Sequence, residues 1–234
     1  SLPANALRLY VHFSRPMDAH GSHRHVRLLE EDGREVPLAF VEVANGLWDP
    51  GQTRLTLLFH PGRVKRGVAP GQRLGPVLRE GRRYRLVVDA SMADAAGTAL
   101  GTAYEHAFAV VAPDRGAPRA TDLRLRAPET SDGPLAVDLP EPLDHALLQR
   151  WIWVEDAGGQ RVEGVATVSE GETRWSFAPA MPWTSQRYSL CVHPGLEDRA
   201  GNRFDRLFDR QAGKGTAPTT RPVCVPWAHA TRGG

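Results

Sequence analysis

The stretch Leu7-Arg8-Leu9-Tyr10-Val11-His12-Phe13 alternates apolar and polar residues, which places Leu7, Leu9, Val11 and Phe13 on one face of a β-strand. Leu135, Val137 and Leu139 repeat this period of two further along. Gly33 follows Glu-Asp and the pair Gly158-Gly159 follows Asp-Ala, at points where an extended chain must reverse. Glycine accepts the positive φ that hairpin turns demand, so paired strands are expected on either side of each. Helical periodicity is weak throughout, and residues 144–150 predict only a short helical bend. The expected core is Leu9, Val11, Leu57, Leu86, Val137, Trp175, Phe177 and Leu190.

The pattern occurs twice. Arg15-Pro16-Met17-Asp18 aligns with Glu141-Pro142-Leu143-Asp144, and the same offset of 126 pairs Val26 with Ile152, Leu28 with Val154, Gly33 with Gly159 and Val36 with Val162. Leu55-Thr56-Leu57 matches Trp175-Ser176-Phe177 at offset 120, and Tyr84-Arg85-Leu86-Val87-Val88 matches Tyr188-Ser189-Leu190-Cys191-Val192 at offset 104. Asp94-Ala95-Ala96-Gly97 then meets Asp198-Arg199-Ala200-Gly201. A fixed order of matches is the mark of a repeated unit, and the first copy carries 22 residues more than the second between the matched ends.

Strands spaced by turns, without alternating helices, predict an all-β fold of two tandem antiparallel β-sandwiches. Their expected bounds are residues 1–112 and 121–234, joined by a linker at 113–120, because Ala112-Pro113-Asp114-Arg115-Gly116-Ala117-Pro118 suits neither sheet nor helix. Composition agrees: of 234 residues, 23 are Gly and 19 Pro, together about 18% against a usual roughly 12%. The formal net charge of +2 argues against binding nucleic acid through bulk electrostatics, and no apolar run reaches the length of a transmembrane span. Lysine occurs only at Lys65 and Lys214 and isoleucine only at Ile152, a usage that points to a high-GC bacterial source.

The strings Leu9-Tyr10-Val11-His12-Phe13-Ser14-Arg15-Pro16-Met17-Asp18, Arg54-Leu55-Thr56-Leu57, Gly81-Arg82-Arg83-Tyr84-Arg85-Leu86-Val87-Val88 and Asp94-Ala95-Ala96-Gly97 resemble the bacterial Ig-like domain of S-layer and other cell-surface proteins. The second copy keeps the same order, so the resemblance covers nearly the whole chain. It implies Ig-like sandwiches in an exported setting, periplasm or cell surface, with any leader outside this sequence, and it brings no catalytic residues. The chain departs from that pattern at residues 61–80, a long basic insertion in the first copy, and after Ala212.

Chemistry is sparse. There is no G-x-S-x-G, H-E-x-x-H, phosphate-binding G-x-x-x-x-G-K-[ST] or C-x-x-C pattern, so the chain is read as a binding or spacer module rather than an enzyme. The first rival is a hydrolase whose carboxylates, among them Asp49, Asp94, Asp198 and Asp209, carry no recognisable motif. The second is a periplasmic metal-binding protein. His20, His23 and His25 sit in one polar loop, and three imidazoles can close on Cu(II), Ni(II) or Zn(II). No other cofactor is expected.

Two surfaces are candidates for partners, and two cysteines are candidates for a disulfide. Arg63, Lys65, Arg66, Arg73, Arg79, Arg82, Arg83 and Arg85 stand against Glu80 alone, a patch for an anionic glycan, a lipid headgroup or an acidic protein surface. No aromatic residue interleaves that run before Tyr84, which disfavours nucleic acid. Ile152 and Val154 match the apolar Val26 and Leu28, so strand parity turns Trp151 and Trp153 outward, to be covered by the other domain or a partner or to stack on sugar rings. Cys191 and Cys224 are the only cysteines; parity turns Cys191 outward, and a bond between the two requires their strands to be neighbours. Such a bond would mark an oxidising compartment.

Overall fold

The computed structural model describes residues 1–64, 75–204 and 221–228. Two compact units, Ser1–Asp114 and Arg115–Gly234, divide the chain inside the proline-bearing segment. Both are all-β and built mainly of antiparallel sheets.

The first unit holds β1 (Leu2–Pro3), β2 (Arg8–His12), β3 (Val26–Glu30), β4 (Arg54–Leu58), β5 (Arg83–Val88) and β6 (Tyr104–Val111). They form a sheet of order β1-β6-β5-β3, in which only β1 and β6 are parallel, and a pair β2-β4. The unit's helical pieces among the described residues are a one-turn α1 (Pro61–Val64) and a 3₁₀ turn at Ser22–His25. Both sheets feed one core: Val11, Leu55 and Leu57 from β2 and β4 cluster with Val26, Leu28, Leu86, Val88 and Phe108 from β3, β5 and β6. Leu9, expected in the core, is only half-buried and packs at the margin of the cluster, whereas Val11 on the same face of β2 is buried.

The second unit holds β7 (Arg124–Arg126), β8 (Leu135–Asp138), β9 (Ile152–Glu155), β10 (Gly164–Ser169), β11 (Arg174–Pro179), β12 (Arg187–Val192) and β13 (Val223–Ala228). Its sheets run β10-β11-β8-β7 and β13-β12-β9. Leu135, Val137, Trp175, Phe177, Ile152, Val154 and Leu190 meet in its core. The helical bend is the one-turn α2 (His145–Leu148), started by Asp144, whose carboxylate accepts the Leu147 amide at 2.9 Å.

Hydrogen bonds recur at the sequence offsets. The Val36 amide donates to the Leu28 carbonyl at 2.8 Å, and Val162 to Val154 at 2.9 Å. Asp18 donates to Ala93 as Asp144 donates to Glu197, and Phe13 donates to Thr53 as Leu139 donates to Thr173. Registers agree as well: Val11 opposes Leu55 and Val137 opposes Trp175, while Leu28 opposes Leu86 and Val154 opposes Leu190. Gly33 and Gly159 turn their hairpins at φ of 85° and 75°, where a side chain would be strained.

Candidate functional site

The offsets show where the two units differ. On β3, β5 and β6 the row Arg27, Val87, Glu105 faces away from the core; its counterpart on β9, β12 and β13 is Trp153, Cys191, Cys224. Cys191 and Cys224 stand directly opposite one another on neighbouring strands and are joined by a disulfide. The parity argument places Cys191 on the outer face, yet its side chain is buried, as is that of Val87 in the first unit. Position in the middle strand of three explains this, since Trp153 and Cys224 flank Cys191 on either side.

Trp153 is half-buried and held from two directions. Its indole Nε1 donates to the Glu155 carboxylate at 2.7 Å, and the Arg161 guanidinium lies over the ring, 4.2 Å from its centroid. Glu155 also comes within 4.8 Å of both sulfurs; with those sulfurs spent on the disulfide, the trio is no metal site. Trp151, expected beside Trp153 as a second open ring, packs against the unit's core and lies against the His193 ring, tilted by 35° with centroids 4.7 Å apart. Of the two indoles, Trp153 is therefore the one set in a polar rim. Sequence reasoning found Trp153 by parity and missed Arg161 and Glu155. Arg161 was legible as the offset-126 counterpart of Glu35, a reversal of charge at one place in the repeat.

The basic patch separates into unlike parts. Arg63 is buried, and its guanidinium donates to the carbonyls of Gly75 at 2.9 Å, Pro76 at 3.2 Å and Pro37. Burial, with Arg79 nearby, pulls its pKa below the ordinary value. Arg63 is thus a tie between chain segments and not part of an anion-binding surface, which corrects the expectation. A count of charges along the chain cannot see carbonyls contributed by distant prolines. Arg82 and Arg83 are exposed, and Arg85 pairs with Glu105 at 3.1 Å. Lys65, Arg66 and Arg73 lie outside the described residues.

His20, His23 and His25 do not bring three ligand atoms within 4.8 Å of one another. The 3₁₀ turn Ser22–His25 spreads consecutive side chains around its axis, and His25 Nδ1 is engaged with Ser91 Oγ at 3.2 Å. The aspartates hold turns. Asp49 accepts the amides of Thr53 and Arg54, each at 2.8 Å. Asp94 accepts Ala96 and Thr98, and the Thr98 bond helps keep its carboxyl below the usual range. Asp198 accepts Ala200 and Asn202. Asp209 lies outside the described residues.

One charged cluster escaped the sequence. Glu172 lies 2.7 Å from Arg199 and 3.4 Å from His145 Nδ1. The His145 imidazole beside it, assisted by Arg199 and opposed by burial, brings its pKa down to about 2. It clips the β10–β11 hairpin to α2 and to the turn at Asp198.

No protein-family model matches the chain, and comparison with characterised proteins finds no match. Among the described residues no helix is long and apolar enough to cross a membrane.

Proposed function

We propose that the chain is a pair of Ig-like β-sandwich modules from an exported bacterial protein, acting by binding or spacing rather than by catalysis. Its contact face is the outer side of β9, β12 and β13, and the occupant is a protein surface. The observation that carries this reading is a framework used twice with one outer face rewritten: Arg27, Val87 and Glu105 become Trp153, Cys191 and Cys224.

Several features support it. In each unit a tyrosine at the second position of a core strand reaches back to an upstream amide: Tyr84 Oη accepts from Arg79 at 3.1 Å and Tyr188 Oη from Thr184 at 3.0 Å. That arrangement resembles the tyrosine corner of Ig-like sandwiches. The disulfide fits an oxidising compartment, and since the first unit stands with Val87 and Glu105 at the same places, the shared framework does not require it. Trp and Arg together, rimmed by a carboxylate, have the composition of a protein–protein hot spot. Sugar stacking fits less well, because Arg161 already lies over the Trp153 ring.

The test is site-specific photo-crosslinking in the source cell, with a photoreactive phenylalanine analogue at position 153 or at the matching position 27. A discrete protein adduct from 153, absent from 27, is the expected result. Adducts at neither position, or the same adducts at both, would contradict the assignment. Saturable polysaccharide binding lost on Trp153→Ala would replace the protein partner by a glycan.

A further inference from the structure

An open sheet edge presents unpaired N–H and C=O groups to any other strand, and proteins shield such edges with proline, charge, shortness or a covering loop. The described edges of this chain use all four devices. β1 is two residues long and contains Pro3, β2 carries Arg8, β7 is three residues with Arg124 and Arg126, and β13 contains Pro226. The outer side of β3 is covered through the bonds Glu30 to Arg34 and Val36 to Leu28, and that of β9 through Asp156 to Gln160 and Val162 to Val154. On β4 the segment containing Val41 and Leu47 does the same.

Strand β10 is the exception. Gly164-Val165-Ala166-Thr167-Val168-Ser169 has six residues, no charge and no proline, is rich in β-branched side chains, and among the described residues pairs only with β11. Beside its start, the Ala180 amide donates to the Glu163 carbonyl, and two apolar side chains stand in solvent nearby: Val165 at 67% exposure and Met181 at 76%. Ala166 and Val168 face the core; Val165, Thr167 and Ser169 face out.

We propose that β10 is a self-association edge that pairs antiparallel with β10 of a second copy of this chain. A two-fold axis perpendicular to the sheet keeps both core-facing sides on one side only when residues of like parity oppose each other. Two like-parity registers lie beside the centre of this six-residue strand, and the one with a threonine pair on the axis puts Thr167 opposite Thr167, Ala166 opposite Val168 and Val165 opposite Ser169. Gly164 falls opposite Glu170 and Glu163 opposite Gly171, so no like charges are directly opposed. Thr–Thr is a favourable cross-strand pair, and the core-facing stripe continues across the junction. This self-complementarity selects a second copy over a foreign strand.

The test is sedimentation equilibrium of the whole chain from micromolar to millimolar concentration. The parent protein associates to a dimer with rising concentration. Thr167→Lys and Thr167→Glu, changes at an exposed side chain, each set like charges across the axis and leave a monomer at every concentration. An equimolar mixture of the two restores the dimer, which a merely misfolded variant cannot do. A parent that stays monomeric throughout, including one that instead captures an added extended peptide, would overturn the proposal. So would variants that dimerise as the parent does, or a mixture that fails to restore pairing while the parent dimerises.

Discussion

Gln52 and Glu172 hold the same strained place in the two units. Both are non-glycine residues at positive φ, 53° and 66°, and their carbonyls accept the amides of Met17 at 3.0 Å and Leu143 at 3.2 Å. A left-handed conformation costs an ordinary residue on the order of 1–2 kcal/mol, so each is kept there by the surrounding framework. Glycine removes that strain. Gln52→Gly is expected to be neutral or stabilising by up to about 1 kcal/mol, whereas Glu172→Gly also cuts the clip to His145 and Arg199 and destabilises by roughly 2 kcal/mol. The urea midpoint should fall for Glu172→Gly and should not fall for Gln52→Gly; a fall of equal size in both would refute the division of roles.

The Glu172 clip has a pH signature. Its carboxyl is depressed from 4.5 to about 2 in the folded chain, so the stability it adds is complete above the unfolded value and disappears as pH falls through the folded one. The parent should exceed Glu172→Gln by at most about 3 kcal/mol at neutral pH, and the gap should close below pH 4.5 as the folded value is approached. A gap independent of pH would show that the carboxylate is not the source.

Tyr84 and Tyr188 are both buried, and their hydroxyls satisfy the Arg79 and Thr184 amides. Phenylalanine keeps the ring and strands the amide, at a cost of about 1–2 kcal/mol for each substitution. Denaturation should show a loss for both Tyr84→Phe and Tyr188→Phe, the larger at Tyr188, whose hydroxyl also meets Thr184 Oγ1 at 3.2 Å and Gln186 Nε2 at 3.1 Å. A neutral result at either position would remove that tyrosine from the shared framework.

Arginines from one charged run should respond in opposite ways. Arg63→Met removes three hydrogen bonds from a buried guanidinium to the carbonyls of Pro37, Gly75 and Pro76 and is expected to cost about 1.5–3 kcal/mol. Arg82→Ala and Arg83→Ala, at exposed side chains, should stay within about 0.5 kcal/mol of the parent. Equal, small effects at all three positions would return Arg63 to the surface.

What the sequence revealed is what a local rule can carry. Period-two alternation located the strands, Gly33 and Gly159 located the hairpins, and the offsets of 126, 120 and 104 placed Trp175 opposite Val137 as Leu55 stands opposite Val11. Parity set the outer row of Trp153 and Cys191. The losses came where the deciding partner is remote in sequence. Arg63 is buried by carbonyls 12, 13 and 26 residues away, Trp151 is taken up by His193, and the three histidines are parted by a turn too short to show periodicity. Burial of Cys191 depends on its neighbours on both adjoining strands, which alternation within β12 does not report.

If the face around Trp153 serves contact rather than folding, the second unit should stand without it. The double variant Trp153→Arg, Arg161→Glu installs the pair that the first unit carries as Arg27 and Glu35, in the same register and with the disulfide retained. Its equilibrium urea unfolding, followed by far-UV circular dichroism, is the most direct measurement. The expected loss is no more than about 1 kcal/mol, the scale of a change at a half-exposed site. A loss of about 3–5 kcal/mol, the range for removing a core tryptophan, would make Trp153 a folding residue and contradict the contact face.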